Sequence, residues 1–144
     1  MPGRGKPAER AAALARVMEL ASRQIHARAH SHGLYPAQWS AIRYFRDAAG
    51  EHRTAIALAR YQGLAFGAVA QTVRTLIARG LLRKAGSAGR GRAQVIEVTP
   101  EGLRLLTLDP LASIAAAIGR LTPERQDALA EALDSVLREF AGGG

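Results

Sequence analysis

Between His52 and Ile96 the sequence contains no aspartate or glutamate, yet Arg53, Arg60, Arg74, Arg79, Arg83, Lys84, Arg90 and Arg92 all stand in that span. A guanidinium donates through a planar fork that matches phosphate oxygens, and an ammonium offers a point charge to the same acceptors. Cations with no carboxylate among them form the charge pattern of a surface that meets phosphates. Inside the span, Gln71, Arg74 and Thr75 recur at the three- and four-residue spacing that shares one helix face, with Thr72 at its border. Glutamine suits an adenine edge and arginine a guanine edge, while threonine reaches a base, a thymine methyl or a phosphate. Arg90 and Arg92 flank Gly91 in a glycine-rich stretch, Gly86 to Arg92, whose backbone can come close enough for arginine to enter a narrow minor groove. Arg53, Thr54, Arg83 and Lys84 fit the simpler task of holding phosphates, which positions a duplex without reading it. The competing reading of all three sets is a solvated basic face.

Other chemistries are poorly served. There is no cysteine, which excludes disulfides, thiolate metal sites and thiol redox sensing. His26 and His30 stand four apart and could share a metal on one helix face, but no third ligand lies near them in sequence, and His32 and His52 do not supply one. No metal and no cofactor is expected. A nucleophile elbow, a phosphate-cradling glycine loop and paired carboxylates are all missing, so an enzyme is not expected either. No apolar stretch approaches the length of a membrane span; the reading is a cytoplasmic protein with no membrane partner.

The elements that must position these side chains follow from periodicity. At 144 residues the chain suits one compact domain, and its alanine- and leucine-rich, aromatic-poor composition favours helices. Residues 1–7 read as a flexible basic tail. From Ala8, Leu14, Val17, Met18, Ala21 and Ile25 line one stripe of a long amphipathic helix, ended by Ser31-His32-Gly33. Pro36 opens a second helix carrying Trp39, Ile42, Tyr44 and Phe45, which closes at Gly50. A short third helix, Thr54 to Tyr61, is expected to bury Ile56, Leu58 and Ala59; after a turn at 62–64, a fourth runs from Phe66 to Arg79 with Val69, Val73, Leu76 and Ile77 inward.

Beyond Gly80 the period changes to two, giving strands at 81–85 and 93–98 around the cationic loop. Thr99-Pro100-Glu101 and Thr122-Pro123-Glu124 each combine a capping threonine, a first-turn proline and an acid at the positive helix end. The first of these helices is expected to continue, kinked at Pro110, to Ile118. The last carries Leu129, Leu133, Val136, Leu137 and Phe140 on one stripe. The fold class is therefore mainly α with a small β-hairpin wing, a winged helix-turn-helix. Its expected division is a dimerisation helix at 8–33, a DNA-binding lobe at 34–100 and C-terminal dimerisation helices at 101–141. The stripes at both ends exceed what one small core needs, so a two-fold dimer through the terminal helices is expected, facing a pseudo-palindromic double-stranded DNA operator.

From Ala57-Leu58-Ala59 through Val69, Val73 and Leu76 to Gly80-Leu81-Leu82-Arg83, and on through Arg90-Gly91-Arg92 to Ile96-Glu97-Val98-Thr99-Pro100-Glu101-Gly102, the sequence resembles the MarR family of bacterial regulators. The resemblance implies a winged helix-turn-helix transcription regulator, read as a repressor, with the terminal helices forming the homodimer. It also implies a small aromatic or anionic effector bound between the dimer helices and the lobe; His26, His30, Tyr35, Trp39 and Tyr44 are the candidates to line that pocket, or else to fill a core. Two departures matter. The acid that family wings carry beside arginine is absent at Arg90-Gly91-Arg92. The serine or threonine usual near the start of the recognition helix is replaced by Ala65, Ala68 and Ala70, which shifts the expected affinity toward the wing. The alternative function is a winged-helix protein-interaction module whose basic face docks an acidic partner.

Overall fold

The computed structural model describes residues 5–88 and 93–142. In chain order the elements are α1 (Pro7–Arg28), α2 (Pro36–Asp47), a 3-10 turn (Gly50–His52), α3 (Ala55–Gln62), α4 (Phe66–Ala78), β1 (Leu82–Ala88), β2 (Ala93–Val98), α5 (Pro100–Leu106), α6 (Leu111–Gly119) and α7 (Pro123–Gly142). Proline occupies the first turn of α1, α2 and α5, where its missing N–H costs no helical hydrogen bond. Threonine hydroxyls accept from backbone N–H groups at the starts of α3, α5 and α7: Ala57 on Thr54, Gly102 on Thr99 and Arg125 on Thr122.

One apolar core lies between Leu34 and Leu106. Trp39, Ala41, Ile42 and Phe45 of α2 meet Leu58 and Ala59 of α3, Val69, Val73 and Leu76 of α4, and Leu81, Leu82 and Ile96 of the hairpin. Trp39 is fully enclosed, and its Nε1–H donates to the Ser31 carbonyl at 3.3 Å. Ile56, expected inside, is instead 47% exposed. Two residues of helix turn it roughly 200° from Leu58, which faces the core. Tyr44 is displaced in the same way by Phe45 and sits half-buried at the rim.

β1 and β2 form one antiparallel pair, with Leu82 opposite Val98 and Lys84 opposite Ile96. The register shifts between Lys84 and Ser87, where Gly86 holds a φ of 110° that only glycine adopts without strain. Absorbing this irregularity lets β1 reach Ala88, three residues past its expected end. The expected kinked helix from Thr99 is two helices. α5 and α6 meet at a 50° bend around Pro110, and the Asp109 carboxylate accepts from the Leu111 N–H to start α6 afresh.

The Thr-Pro-Glu-Gly stretch fastens α5 to the base of the hairpin. The Thr99 N–H donates to the Leu81 carbonyl at 3.1 Å, and its Oγ1 donates to the Gly80 carbonyl at 2.6 Å. Gly102 lies so close that a Cβ there would fall 2.4 Å from the Leu81 carbonyl oxygen and 2.7 Å from a Val98 methyl. Only glycine permits this approach.

The helices at the two ends contrast with the core. No residue of α1 or α6 is buried. Leu14, Val17 and Met18 of α1 and Leu133, Leu137 and Phe140 of α7 are all exposed large apolar side chains. Among the described residues no single helix is long and apolar enough to cross a membrane.

Candidate nucleic-acid interface

α3, the turn at 63–65 and α4 form the helix-turn-helix, and the hairpin lies beside α4. With Val69, Val73 and Leu76 turned into the core, α4 presents Gln71 and Arg74 to solvent and Thr72 and Thr75 at the edges of that face. Three of these four expected base-reading residues form one chain of hydrogen bonds. Arg74 Nη2 donates to Gln71 Oε1 at 2.8 Å, and Gln71 Nε2 donates to Thr75 Oγ1 at 3.3 Å. The chain orients the glutamine amide and leaves other guanidinium N–H groups for an acceptor beyond the helix. Thr72 stands apart, because its hydroxyl donates back to the Ala68 carbonyl at 3.2 Å. The first turn of α4 is exposed and non-polar, and its N-cap Ala65 supplies no side-chain cap.

The expected phosphate set divides. Thr54 is corrected to a structural cap: it is 5% exposed and its Oγ1 holds the Ala57 N–H. Its β-region backbone at the N-cap points the hydroxyl along α3 and away from solvent. Arg53 is half-committed, since its Nε donates to the Ala48 carbonyl at 2.7 Å and its own carbonyl accepts from the Ile96 N–H. Arg83 pairs with Glu97, its partner across the hairpin, at 2.7 Å. That pair is exposed and screened, so a phosphate can compete with it. Lys84 is exposed on the hairpin. Arg90 and Arg92 lie outside the described residues.

A cleft of about 460 Å³ separates α4 from the hairpin. Ile56, Phe66 and Ile77 are among its apolar walls, and Arg74, Lys84 and Gln94 contribute polar groups. Sequence reading missed this cleft, because an exposed phenylalanine at the start of a helix looks like any core residue until its direction is known.

The five candidate effector residues are not gathered into one pocket. His26, His30 and Tyr35 form a row of edge-on rings, with successive centroids 5.6 Å apart. His26 also borders a small pocket of about 110 Å³ beside Ile25, Arg43, Pro110 and Ile114. Trp39 belongs to the core. Tyr44 faces a separate surface pocket with Ser40, Arg46 and Tyr61; its ring lies 5.1 Å from Tyr61 and its hydroxyl donates to the His52 carbonyl at 2.8 Å. Burial, and then the neighbouring Tyr61, raise the Tyr44 pKa, so the phenol keeps its donating proton. Among the described residues no three metal-ligating side chains come together.

Two long-range contacts near this region carry no sequence signal. Arg43 Nε pairs with Asp109 Oδ2 at 2.9 Å, largely shielded from solvent, tying α2 to the α5–α6 bend. Arg79 Nη1 donates to the Gly33 carbonyl at 2.7 Å, joining the end of α4 to the α1–α2 connection.

A family model described as MarR family matches residues 32–93. No curated protein matches the chain. Solved structures do. AbsC, a MarR family transcriptional regulator from Streptomyces coelicolor, aligns with a TM-score of 0.72 at 18% identity, over 96% of this chain and 97% of that one. MepR from S. aureus, solved as a DNA complex, aligns at 0.68 and 16% identity over 87% and 96%. BpsR from Bordetella bronchiseptica, whose DNA binding is regulated by 6-hydroxynicotinic acid, aligns at 0.64 and 18% identity over 85% and 97%. At these identities the shared property is the fold.

Proposed function

We propose that this chain is a regulator of the MarR kind, a sequence-specific, double-stranded-DNA-binding transcription regulator that acts as a homodimer. The observation that carries this reading is the hydrogen-bonded Arg74–Gln71–Thr75 face on α4, set in a span without a single carboxylate from His52 to Ile96. Arg74 and Gln71 read base edges in the major groove, and Lys84 and Arg83 hold phosphates on the hairpin side. Arg90 and Arg92 enter the minor groove. α1, α6 and α7 supply the dimer interface with their exposed apolar faces, and the resulting two-fold axis calls for a pseudo-palindromic operator with half-sites about one helical turn apart. The protein works in the cytoplasm, where its operator is.

Release by a small aromatic or anionic effector belongs to the same reading. The His26–His30–Tyr35 row supports it, lying where α1 meets the lobe beside the small pocket that His26 and Arg43 line.

Selection of bound duplexes from a random pool, followed by affinity measurement across salt, tests the proposal. The expected result is an enriched pseudo-palindrome whose affinity falls on the order of a thousandfold between 50 and 200 mM salt. A protein that retains no random duplex at low salt refutes the reading and leaves the protein-interaction module.

A further inference from the structure

We propose that the cleft between α4 and the hairpin seats one sugar–phosphate strand, with its apolar floor packed on deoxyribose so that the protein discriminates against a 2′-hydroxyl. The inference rests on the DNA-binding reading above. A helix in the major groove and a hairpin in the neighbouring minor groove must straddle the strand that divides those grooves, and that strand can pass only between them. The cleft of about 460 Å³ occupies this place.

Its composition matches such an occupant at two levels. The walls offer Ile56 and Phe66, which are 47% and 55% exposed, large apolar groups left in water beside two cations. The charged groups bordering it, Arg74 and Lys84, are both positive, and none of the described residues lining it is acidic. A body of carbon with anionic edges fits that pattern, and deoxyribose between two phosphates is such a body. The C2′ methylene would bury against Phe66 and Ile56, while a flanking phosphate reaches Lys84 and Arg74 stays with the base edges. Ribose would have to bury its 2′-hydroxyl against the same side chains with no partner on them, which costs about tenfold in affinity.

The test uses the full chain and the duplex recovered by selection. Phe66→Ser should weaken binding about tenfold at every salt concentration, with the slope of affinity against salt unchanged. Lys84→Ala should lower that slope by about one. A single ribonucleotide walked along the half-site should cost the unaltered protein about tenfold at one or two positions, and Phe66→Ser less than threefold at those positions. Because Phe66 is half exposed, its thermal midpoint should stay put; Ile56→Ser provides the second variant if it does not. A flat ribonucleotide scan, or variants at both positions with undiminished affinity, overturns the sugar seat while leaving DNA binding intact, and assigns the cleft to another occupant such as a small apolar ligand. Failure of the unaltered protein to bind any duplex overturns both proposals, and so separates the two.

Discussion

α1 and α2 both carry a clean apolar stripe, yet their surroundings are opposite. Four of the twelve residues of α2 are buried, whereas none of the twenty-two of α1 is. α2 sits beneath α4 and the hairpin and supplies the largest buried side chain, Trp39. α1, with α6 and α7, holds Leu14, Val17, Leu133 and Leu137 against solvent. An apolar stripe fixes which face of a helix avoids water; it says nothing about what covers that face. In α2 the cover is the same chain. For the terminal helices no such cover lies among the described residues, and the proposed homodimer would supply it, since a second copy has the matching face by symmetry.

Trp39→Ala should cost about 3–5 kcal/mol in urea unfolding followed by circular dichroism, since it empties the middle of the core. Replacing Leu133 and Leu137 together by aspartate should convert the protein to a monomer in sedimentation and weaken operator binding about a hundredfold through loss of the second half-site. In that variant the Trp39 fluorescence, from the chain's single tryptophan, should still report a folded core. A core that unfolds with the dimer would break the comparison. Gly102→Ala should cost about 1–3 kcal/mol, because the added methyl meets the Leu81 carbonyl and Val98 with little room to relax. Thr54→Ala should cost about 1 kcal/mol in stability and leave the salt slope of DNA binding untouched, as befits a helix cap. A reduced slope would restore Thr54 to the phosphate set.

Much of this architecture was legible in the residue order. The helix starts at Pro36, Thr99 and Thr122, the bounds of β2 and the inward face Val69–Val73–Leu76 all follow from local chemistry, namely caps, proline and periodicity. What failed was direction. Ile56 and Leu58 are both apolar, and only the packing of α3 on α4 decides which is inside. Trp39 and Tyr44 looked equally suited to a pocket, but one completes the core and the other meets Tyr61. Thr54 carried the right chemistry for a phosphate, and a nearby backbone N–H claimed its hydroxyl first. Pairs such as Arg43 with Asp109, 66 residues apart, leave no trace in spacing.

The clamp at Thr99 also has a mechanical side. With the Leu81 and Gly80 carbonyls both held by Thr99, and Gly102 wedged beneath them, the hairpin is a cantilever fixed at its root. The ladder is regular from Leu82 to Lys84 and shifts before Ser87, so the stiff portion ends at the irregularity around Gly86. In the proposed DNA complex a load on the hairpin would therefore meet a root tied down by Thr99, and the cleft beside α4 would keep its shape.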